Sequence, residues 1–126
     1  MAKHQPYPYG YPKVLLEEPS ERLDTRQLYN FHVTKAEHAK QRCDDIIAYH
    51  NAVATWDVRT GNTTLPYSVE TLSERYVAND LIFQKWSSKY RFHEGRAQYL
   101  GQRVIMAQND QIIKVLIASA RRRPIA

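Results

Sequence analysis

The fold of this chain depends most on residues Ser68 to Arg123, whose sequence is SVETLSERYVANDLIFQKWSSKYRFHEGRAQYLGQRVIMAQNDQIIKVLIASARRR. It contains no proline and only two glycines, and an apolar residue recurs every three or four positions. This spacing is typical of an α-helix, which over the whole stretch would be roughly 80 Å long. A domain of this size has a radius of gyration of only about 14 Å. The helix must therefore fold back, lie against another long helix, or extend into a partner.

A second helical stretch precedes it, from Ser20 to about Trp56. Ser20 follows a proline, and acidic residues in the next turn suit the positive end of the helix dipole. Residues 57–67 then contain Gly61-Asn62 and Pro66, which favour a turn and prevent the helix from continuing. We predict a helix over about 20–56, a loop over about 57–67 and a helix over about 68–123.

Both helices repeat inward-facing residues at alternating spacings of four and three. In the first helix these are Thr25, Tyr29, His32, Ala36, Ala39, Cys43, Ile46, His50 and Val53. In the second they are Leu72, Tyr76, Asn79, Phe83, Trp86, Tyr90, His93, Ala97, Leu100 and Val104. A turn near Asn62 pairs Ala39 with Trp86, Cys43 with Phe83, His50 with Tyr76, His32 with His93 and Tyr29 with Ala97. In several of these layers a small residue faces a large one, as close packing requires. The predicted fold class is all-α, a long antiparallel helical hairpin resembling a coiled coil.

Residues 1–19 form a separate segment that we predict to be an extended N-terminal arm. Its sequence HQPYPYGYP, residues 4–12, alternates tyrosine with proline or glycine, and proline excludes a helix there. An unattached tail is the alternative for any terminus. The tyrosine side chains favour a docking arm, because each presents a large ring to a partner and loses little conformational entropy on binding. The arm residues expected to bind a partner are Tyr7, Tyr9, Tyr11, Leu15 and Leu16.

The second helix overhangs the first, because the pairing uses up the first helix near Leu100. The remainder, residues 101–123, becomes apolar on nearly all sides from Ile112 onward. An apolar helix surface of this kind is normally buried. Either the chain bends near Gly101 or Asn109 and folds back, or another chain covers it, and we favour another chain. The expected contact residues are Ile112, Ile113, Leu116 and Ile117.

The basic surplus of the chain, a net charge of +5, lies almost entirely on the second helix, which carries ten basic and five acidic residues. Such a surplus suits an acidic protein surface, nucleic acid or simple solubility. For nucleic acid, aromatic rings beside cations would bind single strands. The candidate residues for this alternative are Lys85, Lys89, Arg96, Arg103, Arg121, Arg122 and Arg123.

No group of residues in the sequence has the types and spacing of an active site. We therefore expect that the protein is not an enzyme and that it binds no cofactor and no metal. The single cysteine, Cys43, excludes an internal disulfide and lies in the helix seam. The facing pair His32 and His93 allows a two-ligand site or a pH-sensitive contact, but hydrogen-bonded interior histidines are the simpler interpretation. No signal peptide or membrane-spanning run is present, so we expect a cytoplasmic protein or one within an assembled particle.

The expected hairpin is loosely similar to the small secreted WXG-type helical hairpins, which are close to it in size. Their tryptophan–x–glycine turn is absent, because Trp56 is followed by Asp57-Val58 and Gly61 comes later. We carry no function over from this resemblance; it leaves an exported hairpin with a different partner chain as a further hypothesis. The sequence favours a non-enzymatic assembly subunit of a homo-oligomer or a larger particle, with a viral capsid or tail among the possibilities. A nucleic-acid-associated protein is the alternative.

Overall fold

The computed structural model describes residues 6–12, 18–19, 21–63 and 67–122. Within these ranges the regular secondary structure is entirely helical and consists of α1 (Thr25–Arg59), α2 (Val69–Ala78) and α3 (Leu81–Arg122). Both α2 and α3 pack against α1. The all-α prediction is therefore confirmed.

Helix α1 begins later and ends later than predicted. Asp24 is the N-cap, and the predicted start, Ser20, lies outside the described residues. The Asp24 carboxylate accepts a hydrogen bond from the Gln27 backbone N–H, and the Gln27 side chain accepts one from the Asp24 backbone N–H. This reciprocal capping box satisfies two N–H groups that a helix start otherwise leaves unpaired. At the other end the helix continues past Trp56 to Arg59, and Gly61 then turns the chain at φ 69°.

The second predicted helix is two helices, which corrects the expected continuous span 68–123. The break lies at Asn79-Asp80, not near Gly101 or Asn109. An Asp80 oxygen accepts hydrogen bonds from the backbone N–H groups of Ile82 and Phe83, at 2.8 and 3.0 Å. Asp80 therefore caps α3, and this local hydrogen bonding replaces one turn of a continuous helix.

The contacts between α1 and the other two helices are antiparallel: residues later in α1 contact residues earlier in the segment that contains α2 and α3. His32 contacts His93, and farther along α1 His50 contacts Asp80. Near the end of α1, buried Asp57 accepts a 2.6 Å hydrogen bond from the Tyr76 hydroxyl of α2. The core cluster lies between these contacts and contains Ala39, Cys43, Ile46 and Trp86, with Phe83 packed against it. Small α1 residues thus contact large α3 residues, as close packing requires.

Residues 6–12 have no regular secondary structure and lie across α1 and α3. Tyr7 and Tyr9 pack against the core cluster, and the Trp86 indole N–H donates a 2.8 Å hydrogen bond to the Gly10 carbonyl. Tyr11 remains 56% exposed. The contacts fix this segment on the helices of its own chain.

Candidate assembly surface

Asp80 joins three segments of the chain at the break between α2 and α3. While one carboxylate oxygen caps α3, the other accepts a hydrogen bond from the Tyr7 hydroxyl at 2.7 Å and contacts His50 Nε2 at 2.6 Å. Burial works against ionisation of Asp80, but the hydrogen bonds from His50, Phe83 and Tyr7 outweigh it and hold its pKa below the ordinary value. The same burial and the Asp80 charge raise the pKa of Tyr7. Asp80 thus connects residues 6–12 to both long helices.

A second cluster holds the same segment at Trp86, six residues farther along α3 than Asp80. The Tyr9 hydroxyl donates a 2.6 Å hydrogen bond to Asp45, which lowers the pKa of that carboxyl, with the Gln41 amide as a second donor. The Arg42 guanidinium lies 3.9 Å from the centre of the Tyr9 ring and 5.4 Å from that of Trp86. Such stacking is attractive because the ring face is electron-rich. Residues 6–12 therefore contribute to the intramolecular structure.

An open cleft of about 530 Å³ lies between α1 and α3 on one flank. Gly101 allows Tyr29 to lie against the α3 backbone there, since a Cβ at position 101 would be 3.1 Å from the Tyr29 ring. Acidic side chains from both helices, Glu37 and Glu94, border the cleft, which is lined by Tyr29, Val33, Ala36, Glu37, Lys40, Tyr90, Glu94, Ala97, Gln98, Gly101, Gln102 and Ile105. The cleft has a largely apolar floor of small residues and a polar edge.

The last part of α3, residues 105–122, is the main exposed apolar surface of the described chain, and we call it the α3 free end. Every residue from 105 to 117 is exposed, Leu116 to 63%. Its large exposed apolar side chains are Ile105, Met106, Ile112, Ile113, Val115, Leu116 and Ile117. At 3.6 residues per turn they spread over about 200° of the helix circumference. A soluble helix that packs on one neighbour has a narrower apolar face, so this surface is wide enough for more than one.

The apolar face of the free end does not point toward α1. The buried residues of α3 mark the side that faces α1: Trp86, Lys89, His93, Ala97 and Leu100. On a helical wheel the centre of the exposed apolar face is rotated from that side by roughly 140°. A longer α1 would therefore leave most of this face uncovered. Its direction matches the flank that carries the cleft, and Ile105 belongs to both.

Five of the eight basic residues of α3 form a separate line. Five exposed residues follow one another at intervals of 11, 7, 11 and 7 positions, which keeps them on one side of the helix: Lys85, Arg96, Arg103, Lys114 and Arg121. Tyr99 lies within this line, and its hydroxyl accepts a 3.1 Å hydrogen bond from Arg103. The Arg96 guanidinium is 5.5 Å from the Tyr99 ring centre. We call these five residues the basic line.

The sequence-predicted contact residues are distributed unevenly over these features. Ile112, Ile113, Leu116 and Ile117 lie together on the free end, whereas Tyr7 and Tyr9 contact their own helices. Among the nucleic-acid candidates, Lys85, Arg96, Arg103, Arg121 and Arg122 are exposed. Lys89 is buried with its ammonium 5.4 Å from the Trp86 ring centre. Leu15, Leu16 and Arg123 lie outside the described residues.

His32 and His93 are buried in the α1–α3 interface, and their Nδ1 atoms are 2.8 Å apart. Burial lowers the pKa of His32, and the nearby Arg96 charge lowers it further, while Glu18 acts in the opposite direction. Within the described ranges no three His, Cys, Asp or Glu side chains are grouped closely enough to hold a metal ion. Burial also raises the pKa of Cys43 to about 11, which makes its thiol a poor nucleophile at neutral pH.

Three structural features described above were not predicted from the sequence: the capping of α3 by Asp80, the contact of Gly101 with Tyr29, and the hydrogen bond between Tyr9 and Asp45. The role of Asp80 was readable, because an aspartate before an apolar run is a helix-start signal. The contact of Gly101 with Tyr29 was not, since it depends on the approach of two helices. The hydrogen bond between Tyr9 and Asp45 joins residues far apart in the chain, and no local pattern predicts it.

Comparison with known proteins does not assign this chain to a family. No family model, no curated protein and no solved structure matches the chain. Across the described ranges, none of the helices combines the length and the apolar character needed to cross a membrane.

Proposed function

We propose that this protein is a non-enzymatic structural subunit whose antiparallel helical hairpin assembles with other chains through the α3 free end. The observation that carries the proposal is the group of seven large apolar side chains, each about half exposed or more, on one continuous helix. Exposing them to water is unfavourable by roughly 25 cal/mol per Å² of apolar area, so association that buries them is strongly favoured. Surfaces of this size on soluble proteins usually mark contacts with other proteins.

Residues 6–12 support this role by stiffening the body that carries the free end. Tyr7 and Tyr9 join α1 to the start of α3 through Asp80 and Asp45. A helix anchored firmly at one end presents its other end in a defined direction, which lowers the entropy lost on association. Tyr11 is the exposed arm tyrosine and the one we assign to a partner contact.

Sedimentation and dye binding of the purified wild-type chain test the proposal. Either the chain associates, or it stays monomeric and the uncovered free end binds the dye ANS, whose fluorescence reports exposed apolar surface. A monodisperse monomer that does not bind ANS would contradict the assembly role.

The basic line favours a second candidate function, association with nucleic acid. Its five exposed cations span about 54 Å along one side of α3, a geometry suited to the regularly spaced phosphates of a strand. Arg96 and Arg103 beside Tyr99 add a cation–aromatic group of the kind that binds single-stranded bases.

Salt-dependent binding of single-stranded RNA or DNA tests this second function. Replacing both Arg96 and Arg103 by Gln should weaken binding and flatten its salt dependence. The control variant replaces Arg26 and Arg59, which are exposed on α1 and carry the same charge, and should bind like the wild type. Equal binding by both variants, or no binding at all, would rule it out.

A further inference from the structure

We propose that the partner of the α3 free end is a second copy of this chain, lying antiparallel to the first; this inference rests on the assembly role proposed above. Three observations support a second copy as the partner: the continuity of the free end with the cleft, the internal symmetry of its apolar residues, and the distribution of charge.

The free end is continuous with the cleft along one side of α3. One line of α3 residues runs from the cleft onto the free end at intervals of three and four positions: Glu94, Gln98, Gly101, Ile105, Asn109, Ile112 and Leu116. Residues at these intervals share one side of a helix. A helix that lies along Ile112 and Leu116 therefore enters the cleft if it continues past Ile105. The small residues Ala36, Ala97 and Gly101 at the cleft allow such a close approach.

The apolar residues of this line are also complementary to themselves in the antiparallel direction. If Ile105 of one copy faces Leu116 of the other, then Ile112 faces Asn109, and the same two pairs recur across the twofold axis. A single Asn within a helical interface is a common means of fixing its register. In this arrangement residues 99–122 of the two copies overlap over about 36 Å.

Charge favours the same arrangement. The antiparallel pair places Arg122 of one copy opposite position 99 of the other, next to Gln98 of that copy's cleft and about 7.5 Å along the helix from Glu94. Glu37 lies on the opposite wall. The nearby Lys40 is already paired with Asp44 at 3.1 Å, so the free charge at this edge is mainly acidic. Opposite charges across an interface fix its orientation.

A parallel pair would instead place the arginines of both copies side by side and leave both clefts open. In the antiparallel pair the basic lines also stay apart, because Arg103 and Lys114 lie on the side of α3 that is turned away from Ile105 and Leu116. Like charges at closer range would oppose association. The antiparallel arrangement therefore buries the line through Ile105, Ile112 and Leu116 and keeps the basic lines apart.

Distances between spin labels on the full-length chain test the orientation. Two single variants are labelled separately, Asp110→Cys near the twofold axis and Gly95→Cys, where a new Cβ has no heavy atom within 4 Å. The antiparallel pair predicts a short separation between the labels at position 110 and about 45 Å or more between those at position 95. The unsubstituted chain is the labelling control, because Cys43 is buried and should take up no label.

Each other outcome overturns the inference in a recognisable way. Short separations at both positions mean a parallel oligomer, which leaves the assembly role intact. A monomer that binds ANS means that a different protein covers the free end, and again only the second-copy inference fails. A monomer that does not bind ANS removes both the inference and the proposed function.

Discussion

The Nδ1 atoms of His32 and His93 lie 2.8 Å apart in the interface between α1 and α3. Only one of the two nitrogens can carry the hydrogen between them, so the ring that accepts it must be neutral and the contact is lost when both rings are protonated. Burial and the Arg96 charge already hold the pKa of His32 below its ordinary value of 6.5. The histidine pair therefore makes the packing of the two long helices sensitive to acid.

The free energy of unfolding should fall as the pH drops below about 6.5. In that range the unfolded chain binds a proton at His32 that the folded chain excludes, so the folded state loses at most about 1.4 kcal/mol per pH unit from this residue. Chemical denaturation at pH 7, 6 and 5 measures the slope. His32→Gln should flatten it, and the exposed His38→Gln is the control that should not. Equal slopes in all three proteins would contradict the role of His32.

Removing the Asp80 carboxylate should destabilise the protein more than removing its Tyr7 partner alone. Asp80→Ala loses the α3 cap, which typically costs about 1–2 kcal/mol, together with its contacts to His50 and Tyr7. Tyr7→Phe loses only the hydroxyl, so a cost of about 1 kcal/mol is expected. Urea denaturation compares the two. The assignment of Asp80 as the joining residue fails if Tyr7→Phe costs as much as Asp80→Ala.

The two glycines of α3 should respond oppositely to alanine. Gly95 has open space around a new Cβ, so Gly95→Ala should raise the free energy of unfolding by about 0.5–1 kcal/mol through better helix propensity. At Gly101 the new Cβ would lie 3.1 Å from the Tyr29 ring, which must shift, so the gain should shrink or become a loss. Thermal denaturation of both variants measures this. Equal gains would show that Tyr29 does not lie against α3 as described.

Trp86→Ala should cost roughly 3–5 kcal/mol, because a large buried ring is removed from the core cluster. Enlarging its small neighbour should compensate: the double variant Ala39→Leu, Trp86→Leu is expected to recover part of the loss. A double-mutant cycle in denaturant measures the coupling. Additive effects of the two substitutions would mean that the two residues do not share this packing layer.

Sequence reasoning was most successful where the pattern is repeated many times. The spacing along both helical stretches is enough to predict an all-α fold and to place Ala39 near Trp86 and His32 near His93. It failed at single residues that change the local hydrogen bonding. Asp80 ends a continuous helical pattern with one side chain, and its effect depends on His50 and Tyr7, which the chain brings in from elsewhere.

The apolar residues of the free end were readable from sequence, but their direction was not. Ile112 and Leu116 are apolar in any arrangement. That they turn away from α1 and continue the line of the cleft through Ile105 depends on which side of α3 packs on α1. The contacts of Tyr7 and Tyr9 depend in the same way on where α1 and α3 bring Asp45 and Asp80.

The most direct test of the account is the mass of the purified chain by sedimentation equilibrium, compared between the wild type and two doubly substituted variants. Ile112→Glu with Leu116→Glu places two charges in the centre of the apolar face. The control, Ala107→Glu with Gln111→Glu, adds two negative charges at the same end of α3 but outside that face. We predict a dimer or a higher multiple for the wild type and the control, and a monomer for the Ile112 and Leu116 variant. The same oligomeric mass for all three proteins, or a wild-type monomer that does not bind ANS, would contradict assembly through the free end.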